Sequence, residues 1–257
     1  MSRSHYCPHT PEEVQEMLAS VGVDGVEELF ASIPQELRCT TFNLPQGMSE
    51  FETYARIEKL SAENNRELSL FIGGGFFDHL IPAVVDHLSG RAEFYTAYTP
   101  YQPECSQGTL QALFEYQTAI CRLTGLEVSN ASLYDGATAL AEAALMAMRS
   151  TNRNKVLVDS CVSPIARKVL ATYLSYHDAE LVELPHASGL LNRDELAAKL
   201  NQDTAALLVQ YPNAFGCLDD LSGLADQVHG AGALLVTSVY PISLGIIKSP
   251  GEAGADI

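Results

Sequence analysis

The chain has 257 residues, and its 32 Asp and Glu against 15 Lys and Arg give a formal net charge of −17 at pH 7. Such an acidic chain lacks the basic footprint of a non-specific nucleic-acid binder, and an anionic membrane surface would repel it. The six cysteines form no Cys-x-x-Cys motif, the amino terminus is polar, and no apolar run reaches the ~18 residues of a membrane span. We therefore expect a cytoplasmic protein with free thiols and without a zinc site.

Residues 1–68 are predicted to form a helical arm. Thr10-Pro-Glu-Glu13 has the pattern of a helix start, with a cap residue, Pro at the first position and acids in the first turn. A second, short helix is predicted over Val26–Ala31, because a residue before Pro34 leaves the helical region. A third helix is predicted to start near Ser49 and to run to about Asn64.

The pattern changes at residue 69, where a large domain over residues 69–257 is predicted to begin. Ser69–Ile72 is interpreted as a strand or extended run, and a helix is expected from Phe76 to Leu88. Gly73–Gly75 between them lacks the Lys-Ser/Thr of a phosphate loop and the GxGxxG spacing, so it is interpreted as a flexible turn. Two His two turns apart, in Asp78-His79 and Asp86-His87, have no third convergent ligand, and no metal site is predicted.

A Tyr/Pro segment, Phe94–Glu104, follows as a stiff, irregular connector, because Pro100 and Pro103 reject helix and sheet-centre geometry. It leads into a helix predicted over Ser106–Thr124 and ended by Gly125. The next helix is expected over Gly136–Met148, where apolar side chains recur at helical spacing.

Strands and helices then alternate to the end of the chain. Near-continuous apolar strands spaced by helices predict an α/β domain with a mostly parallel sheet and helices on both faces. The expected strands are 156–158, 180–184, 205–210 and 233–237, and the expected helices are 163–174, 193–200 and 221–229.

The run from Tyr98 to Ala147, YTPYQPECSQGTLQALFEYQTAICRLTGLEVSNASLYDGATALAEAALMA, resembles subunit 1, the amino-terminal half, of the glycine cleavage system P-protein. The resemblance extends from Tyr6 to Ile257. It implies the large domain of a type I pyridoxal-phosphate enzyme, aminotransferase-like and incomplete here. Members of the family run well past this length, so the chain is expected to be truncated at its carboxyl end, where Gly254–Ile257 is interpreted as the start of a further strand.

The resemblance also implies a function, as the non-lysine-bearing subunit of a decarboxylating glycine dehydrogenase. That enzyme decarboxylates glycine on pyridoxal phosphate and transfers the aminomethyl group to the lipoyl H-protein. Subunit 2 would hold the cofactor covalently, and this chain would not. The implied partners are subunit 2 and the H-, T- and L-proteins of the system. The alternative is an inactive structural or regulatory remnant without a catalytic partner.

Two sets of residues are candidates for the site. The resemblance places the Tyr/Pro segment near the partner's active site, so its polar side chains are expected to complete that site: Tyr98, Thr99, Tyr101, Gln102 and Glu104. Aromatic packing at a subunit interface is the alternative. The predicted helix start at Asp135, Gly136 and Thr138 presents free N–H groups that suit a cofactor phosphate. Alternatively, Asp135 is only the N-cap.

Two groups that pyridoxal-phosphate catalysis needs are missing. Type I enzymes carry an Asp near the end of the strand where this chain has Thr237 and Ser238, and neither hydroxyl supplies a negative charge. The second missing group is the lysine that binds the cofactor covalently. Lys248 lies in a predicted loop and is interpreted as a surface lysine, so an independent aminotransferase-like enzyme is disfavoured. Gln210–Asn213 follows a strand and either lines a crevice or forms an ordinary turn.

Overall fold

The computed structural model describes residues 8–39, 41, 43–71 and 79–257, which fall into two units divided between residues 69 and 70. The first unit contains α1 (Pro11–Val21), α2 (Glu50–Ala62) and two short 3₁₀ turns, Val26–Phe30 and Gln35–Leu37. The expected helix over Val26–Ala31 is thus a 3₁₀ turn and not an α-helix.

Reciprocal capping boxes start both helices of this unit. The Thr10 hydroxyl accepts from the Glu13 N–H at 3.2 Å, and a Glu13 carboxylate oxygen accepts from the Thr10 N–H at 2.6 Å. Ser49 and Glu52 repeat the arrangement at α2. Each box satisfies N–H groups that the helix cannot satisfy itself, so both starts are encoded locally.

The second unit begins with helices that lead to the sheet. They are α3 (Ala83–Ser89), α4 (Ala92–Tyr95), α5 (Gln107–Thr124) and α6 (Gly136–Thr151). The alternating part follows as β1 (Lys155–Asp159), α7 (Pro164–Leu174), β2 (Glu180–Leu184), α8 (Arg193–Lys199), β3 (Thr204–Tyr211), α9 (Leu224–Gly230) and β4 (Leu234–Val239), and a 3₁₀ turn covers Pro241–Gly245.

All four strands are parallel, in the order β2-β1-β3-β4. The register places Val158 opposite Leu208, and Leu208 opposite Val236. Beyond β4, the Ile257 N–H donates to the Leu235 carbonyl at 3.3 Å and the Ile257 carbonyl accepts from Thr237 at 2.8 Å. This is the hydrogen-bond pattern of a parallel neighbour of β4.

Two apolar layers cover the two faces of this sheet. Alternate strand residues such as Val158 and Leu208 pack against α6 and α7, while Leu157 and Leu207 pack on the opposite side against α8 and α9. These four side chains are at most 1% exposed. The structure therefore confirms the predicted α/β class with helices on both faces.

Several predicted boundaries are wrong. The helix expected over Phe76–Leu88 begins only at Ala83, since Pro82 cannot continue a helix from Ile81 and serves as its cap residue. Residues 76–78 lie outside the described part, as do Gly73–Gly75 and Ile72. Residues 69–71 form no strand. The short helix α4 falls where the sequence suggested an irregular connector, and it takes in Phe94 and Tyr95.

The helix expected from Leu221 starts at Leu224. Its cap residue, Gly223, has a left-handed backbone with φ 67°, so the chain cannot be helical before that point. Because α3 begins at Ala83, His79 and His87 do not share a helix, contrary to the predicted two-turn spacing. The His79 ring instead meets the Tyr240 ring edge-on, with centroids 5.7 Å apart.

Candidate functional site at the carboxyl ends of the strands

The Tyr/Pro segment presents its phenols to solvent. Tyr98 and Tyr101 are 82% and 78% exposed, and their ring centroids lie 6.3 Å apart. The backbone is held by short-range bonds, from the Tyr101 N–H to the Thr99 carbonyl at 2.8 Å and from the Cys105 N–H to the Gln102 carbonyl at 3.1 Å. Such a segment is ordered by its own turns and leaves two hydroxyls available to another molecule.

The start of α6 is closed by a carboxylate. Asp135 Oδ1 accepts hydrogen bonds from the N–H groups of Ala137 and Thr138, both at 2.9 Å, and the Thr138 hydroxyl donates to the Asp135 carbonyl at 3.0 Å. These bonds, with that from Thr138 first, lower the pKa of Asp135, so the residue is an anionic N-cap. Asp135 thus occupies the N–H groups that a phosphate would use.

A cleft of 240 Å³ lies between this helix start and the end of β4. Its polar lining is Thr237 and Ser238, and the remaining walls come from α6, from Val236, Val239 and from Ile257. The Thr237 hydroxyl is buried without a hydrogen-bond partner. No residue of the Tyr/Pro segment borders the cleft, and of the three candidate residues at the helix start only Gly136 does.

These residues do not fit pyridoxal phosphate. The phosphate would meet the Asp135 carboxylate at the helix start, and the pyridine nitrogen would meet hydroxyls where a negative charge is needed. Among the described residues that line the cleft there is no lysine for a covalent bond to the cofactor.

The sequence left two roles for Gln210–Asn213 at the end of β3, and the structure shows that these residues hold neighbouring loops in place. Asn213 is fully buried, its amide donates to the Gly189 carbonyl at 2.8 Å, and its Oδ1 accepts from the N–H groups of Phe215 and Cys217 at 3.0 and 3.1 Å. Gln210 Oε1 accepts from the Ser163 N–H at 2.7 Å. Both amides therefore hold the loops at the carboxyl edge of the sheet, since the protein engages both groups of the Asn213 amide and the amide oxygen of Gln210.

Sequence reasoning missed a buried acidic group beside that loop. Asp159, the last residue of β1, is 1% exposed, and its Oδ2 has no hydrogen-bond partner. Burial raises the pKa of Asp159, and the charge of Asp219 adds to the increase. The sequence signal is an acid directly after the apolar centre of the strand, Val156-Leu157-Val158.

Burial also raises the pKa of the Cys161 thiol to about 12, with the charge of Asp159 as the next cause. A thiol protonated at neutral pH is a poor nucleophile. The five cysteines in the described residues are free: Cys39, Cys105, Cys121, Cys161 and Cys217.

Two further findings concern the described residues alone. They contain no group of three or more His, Cys, Asp or Glu side chains arranged to hold a metal ion. None of their helices is both long and apolar enough to cross a bilayer.

The parallel sheet, with a helix start facing the carboxyl end of β4, has the type I fold of pyridoxal-phosphate enzymes. DndA from Streptomyces lividans shares this fold, with a TM-score of 0.50 and 15% identity over 71% of this chain and 53% of that one. Within this fold, the chain belongs to the glycine cleavage system P-protein family, whose sequence profile matches residues 4–257.

Relatives in the family are close. "Probable glycine dehydrogenase (decarboxylating) subunit 1" of Geotalea daltonii is 64% identical over 252 residues, and that of Geotalea uraniireducens is 62% identical. A crystal structure of inhibitor-bound glycine decarboxylase (P-protein) matches all of this chain with a TM-score of 0.85 and 46% identity. The chain spans 57% of the length of each of these three proteins.

Proposed function

We propose that this chain acts as the non-lysine-bearing subunit of a decarboxylating glycine dehydrogenase. The observation that carries the proposal is a P-protein family chain whose own cleft does not fit the cofactor, because Asp135 closes the start of α6. Pyridoxal phosphate would then be bound by subunit 2. The names of the relatives, subunit 1 of glycine dehydrogenase, favour this role over an inactive remnant.

In this proposal the Tyr/Pro segment completes the site of subunit 2. The exposed hydroxyls of Tyr98 and Tyr101 can donate hydrogen bonds, while Thr99, Gln102 and Glu104 supply further polar groups beside them. The phenols position a small substrate without adding charge, and their rings help to exclude water. The segment suits this task because its own turns order it in advance.

The proposals for the domains, the partners and the cellular location follow from the same role. The arm of residues 1–68 and the large domain of residues 69–257 would both belong to the assembled enzyme. Its partners would be subunit 2 and the lipoyl H-protein, with the T- and L-proteins acting in the same system. The protein would work in the cytoplasm, without nucleic acid or membrane.

Exchange of labelled bicarbonate into the carboxyl group of glycine tests the proposal. The chain alone should show no exchange and should retain no pyridoxal phosphate, while the chain mixed with subunit 2 and H-protein should be active. Robust exchange by the chain alone would overturn the proposal.

Single Tyr→Phe substitutions test the role of the segment in the mixture. Loss of one hydrogen bond of about 1 kcal/mol lowers the exchange rate about fivefold in Tyr98→Phe or Tyr101→Phe. The matched control is Tyr176→Phe, at a phenol that is 87% exposed and outside the segment. Unchanged exchange in both segment variants would reduce the segment to packing at an interface.

A further inference from the structure

The carboxyl group of Asp159 is buried with one of its two oxygens unsatisfied. Oδ1 accepts from the Cys161 N–H at 3.1 Å, whereas Oδ2 has no hydrogen-bond partner among the described residues. The Ser160 hydroxyl beside it is also buried and unpaired in this part of the chain. Because Asp159 is shielded from bulk water, an ionised carboxylate at this position loses its hydration without full replacement. The neutral acid avoids most of that cost.

The titratable groups around Asp159 come from the loops that follow β1, β2 and β3, and they are Cys161, His186, Cys217 and Asp219. Burial is the largest cause of the raised pKa of Asp159, and the negative charge of Asp219 adds to it. The Cys161 N–H bond and a positive charge on His186 act in the opposite direction. On β2, the carboxylate of Glu183 is paired with Arg167. Asp219 is therefore the group that an ionised Asp159 repels.

Asp219 joins two of these loops. Its Oδ1 accepts from the Leu191 N–H at 2.8 Å, in the loop of residues 185–192 between β2 and α8. Its Oδ2 accepts at 3.3 Å from the Asn213 amide, within its own loop of residues 212–223 between β3 and α9. The Ala214 N–H donates to the Cys161 carbonyl at 2.9 Å, which ties the second loop to the end of β1. A charge that displaces Asp219 therefore acts on both loops.

Ionisation of Asp159 favours separation of the two loops from the strand ends. In the closed arrangement, the charged Asp159 has an unsatisfied oxygen and a like charge nearby. Opening hydrates the carboxylate and moves Asp219 away, so the charged form gains free energy that the neutral form does not. By linkage, opening becomes easier as the pH rises above 3.8, and the effect is complete above the folded-state pKa of Asp159.

We propose that Asp159 is a pH-sensitive switch, whose ionisation loosens the loops of residues 185–192 and 212–223 at the carboxyl edge of the sheet. In open α/β sheets this edge carries the ligand crevice, so the switch would act on access to that edge. This device would be built into the chain itself, independently of any partner subunit.

Hydrogen exchange followed by mass spectrometry between pH 4 and pH 8 tests the proposal, with rates corrected for the intrinsic pH dependence of amide exchange. Peptides that contain Leu191 and Ala214 report on the loops, and a peptide around Leu208 in β3 reports on the buried sheet. Loop protection in the unchanged chain should fall about tenfold as the pH rises, as expected for one unsatisfied buried charge. Asp159→Asn, which stays neutral, should abolish the fall. The matched control, Asp220→Asn, changes an exposed acid in the same loop and should leave the fall intact.

Three results would overturn the switch. The first is loop protection in the unchanged chain that does not vary with pH, which needs no variant to fold. The second is a fall that persists in Asp159→Asn. The third is loop protection as high as that of the Leu208 peptide at every pH, because the loops would then open only when the whole sheet unfolds.

Discussion

Gly251 lies where two backbone segments cross without room for a side chain. A Cβ built on Gly251 would be 2.2 Å from the Gly125 carbonyl oxygen and 2.5 Å from the carbonyl carbon. The Gly251 N–H also donates to the Thr124 carbonyl at 2.8 Å, which fixes the end of α5 against this turn. Because both obstacles are backbone atoms, no side-chain rotation can relieve the contact.

Gly251→Ala should therefore destabilise the chain strongly. An ordinary carbon contact is roughly 3.5 Å, so the two segments must separate by roughly 1.3 Å. Overpacking of this kind costs about 3 kcal/mol. For a chain of this size, that loss lowers the melting temperature by about 6–12 °C.

Urea unfolding and differential scanning calorimetry measure this effect. The matched control is Gly245→Ala, because a Cβ at Gly245 meets nothing within 4 Å and the residue has no left-handed backbone. The control should change the free energy of unfolding by less than about 1 kcal/mol. A Gly251→Ala variant as stable as the control would refute the crossing as a tight contact.

Two further predictions concern the buried groups at the end of β1. Asp159→Asn should stabilise the chain increasingly as the pH rises. Burial raises the folded-state pKa of Asp159 above 3.8, so the cost of an ionised carboxylate is absent at low pH and complete above the folded pKa. Equal effects of the substitution on urea unfolding at low and neutral pH would contradict this account. The Cys161 thiol, with a pKa of about 12 and no exposed surface, should react with a thiol reagent only after unfolding, whereas the exposed Cys39 and Cys105 react in the native chain. Mass spectrometry of the labelled peptides measures the order, and early labelling of Cys161 would show that the strand end opens readily.

For the predicted site residues, the structure is most informative where a polar side chain had two alternative roles. Sequence offered two roles for Asp135, and the hydrogen bonds to Ala137 and Thr138 show that it caps α6. The roles of Tyr98 and Tyr101 stay predictions, although their exposure leaves them available to a partner. Contacts between distant loops determine the surroundings of Asn213 and Asp159, so no local pattern predicts them.

Some elements of this fold were predictable because their signals are local in the sequence. A buried parallel strand has a short apolar run at its centre, which made β1, β3 and β4 predictable. The capping boxes at Thr10 and Ser49 depend on residues only three apart. Tertiary contacts set the strand order β2-β1-β3-β4, the crossing of Gly125 and Gly251, and the exposure of the α5 side chains. These features arise from contacts between residues far apart in the chain, and periodicity along the sequence carries no information about them.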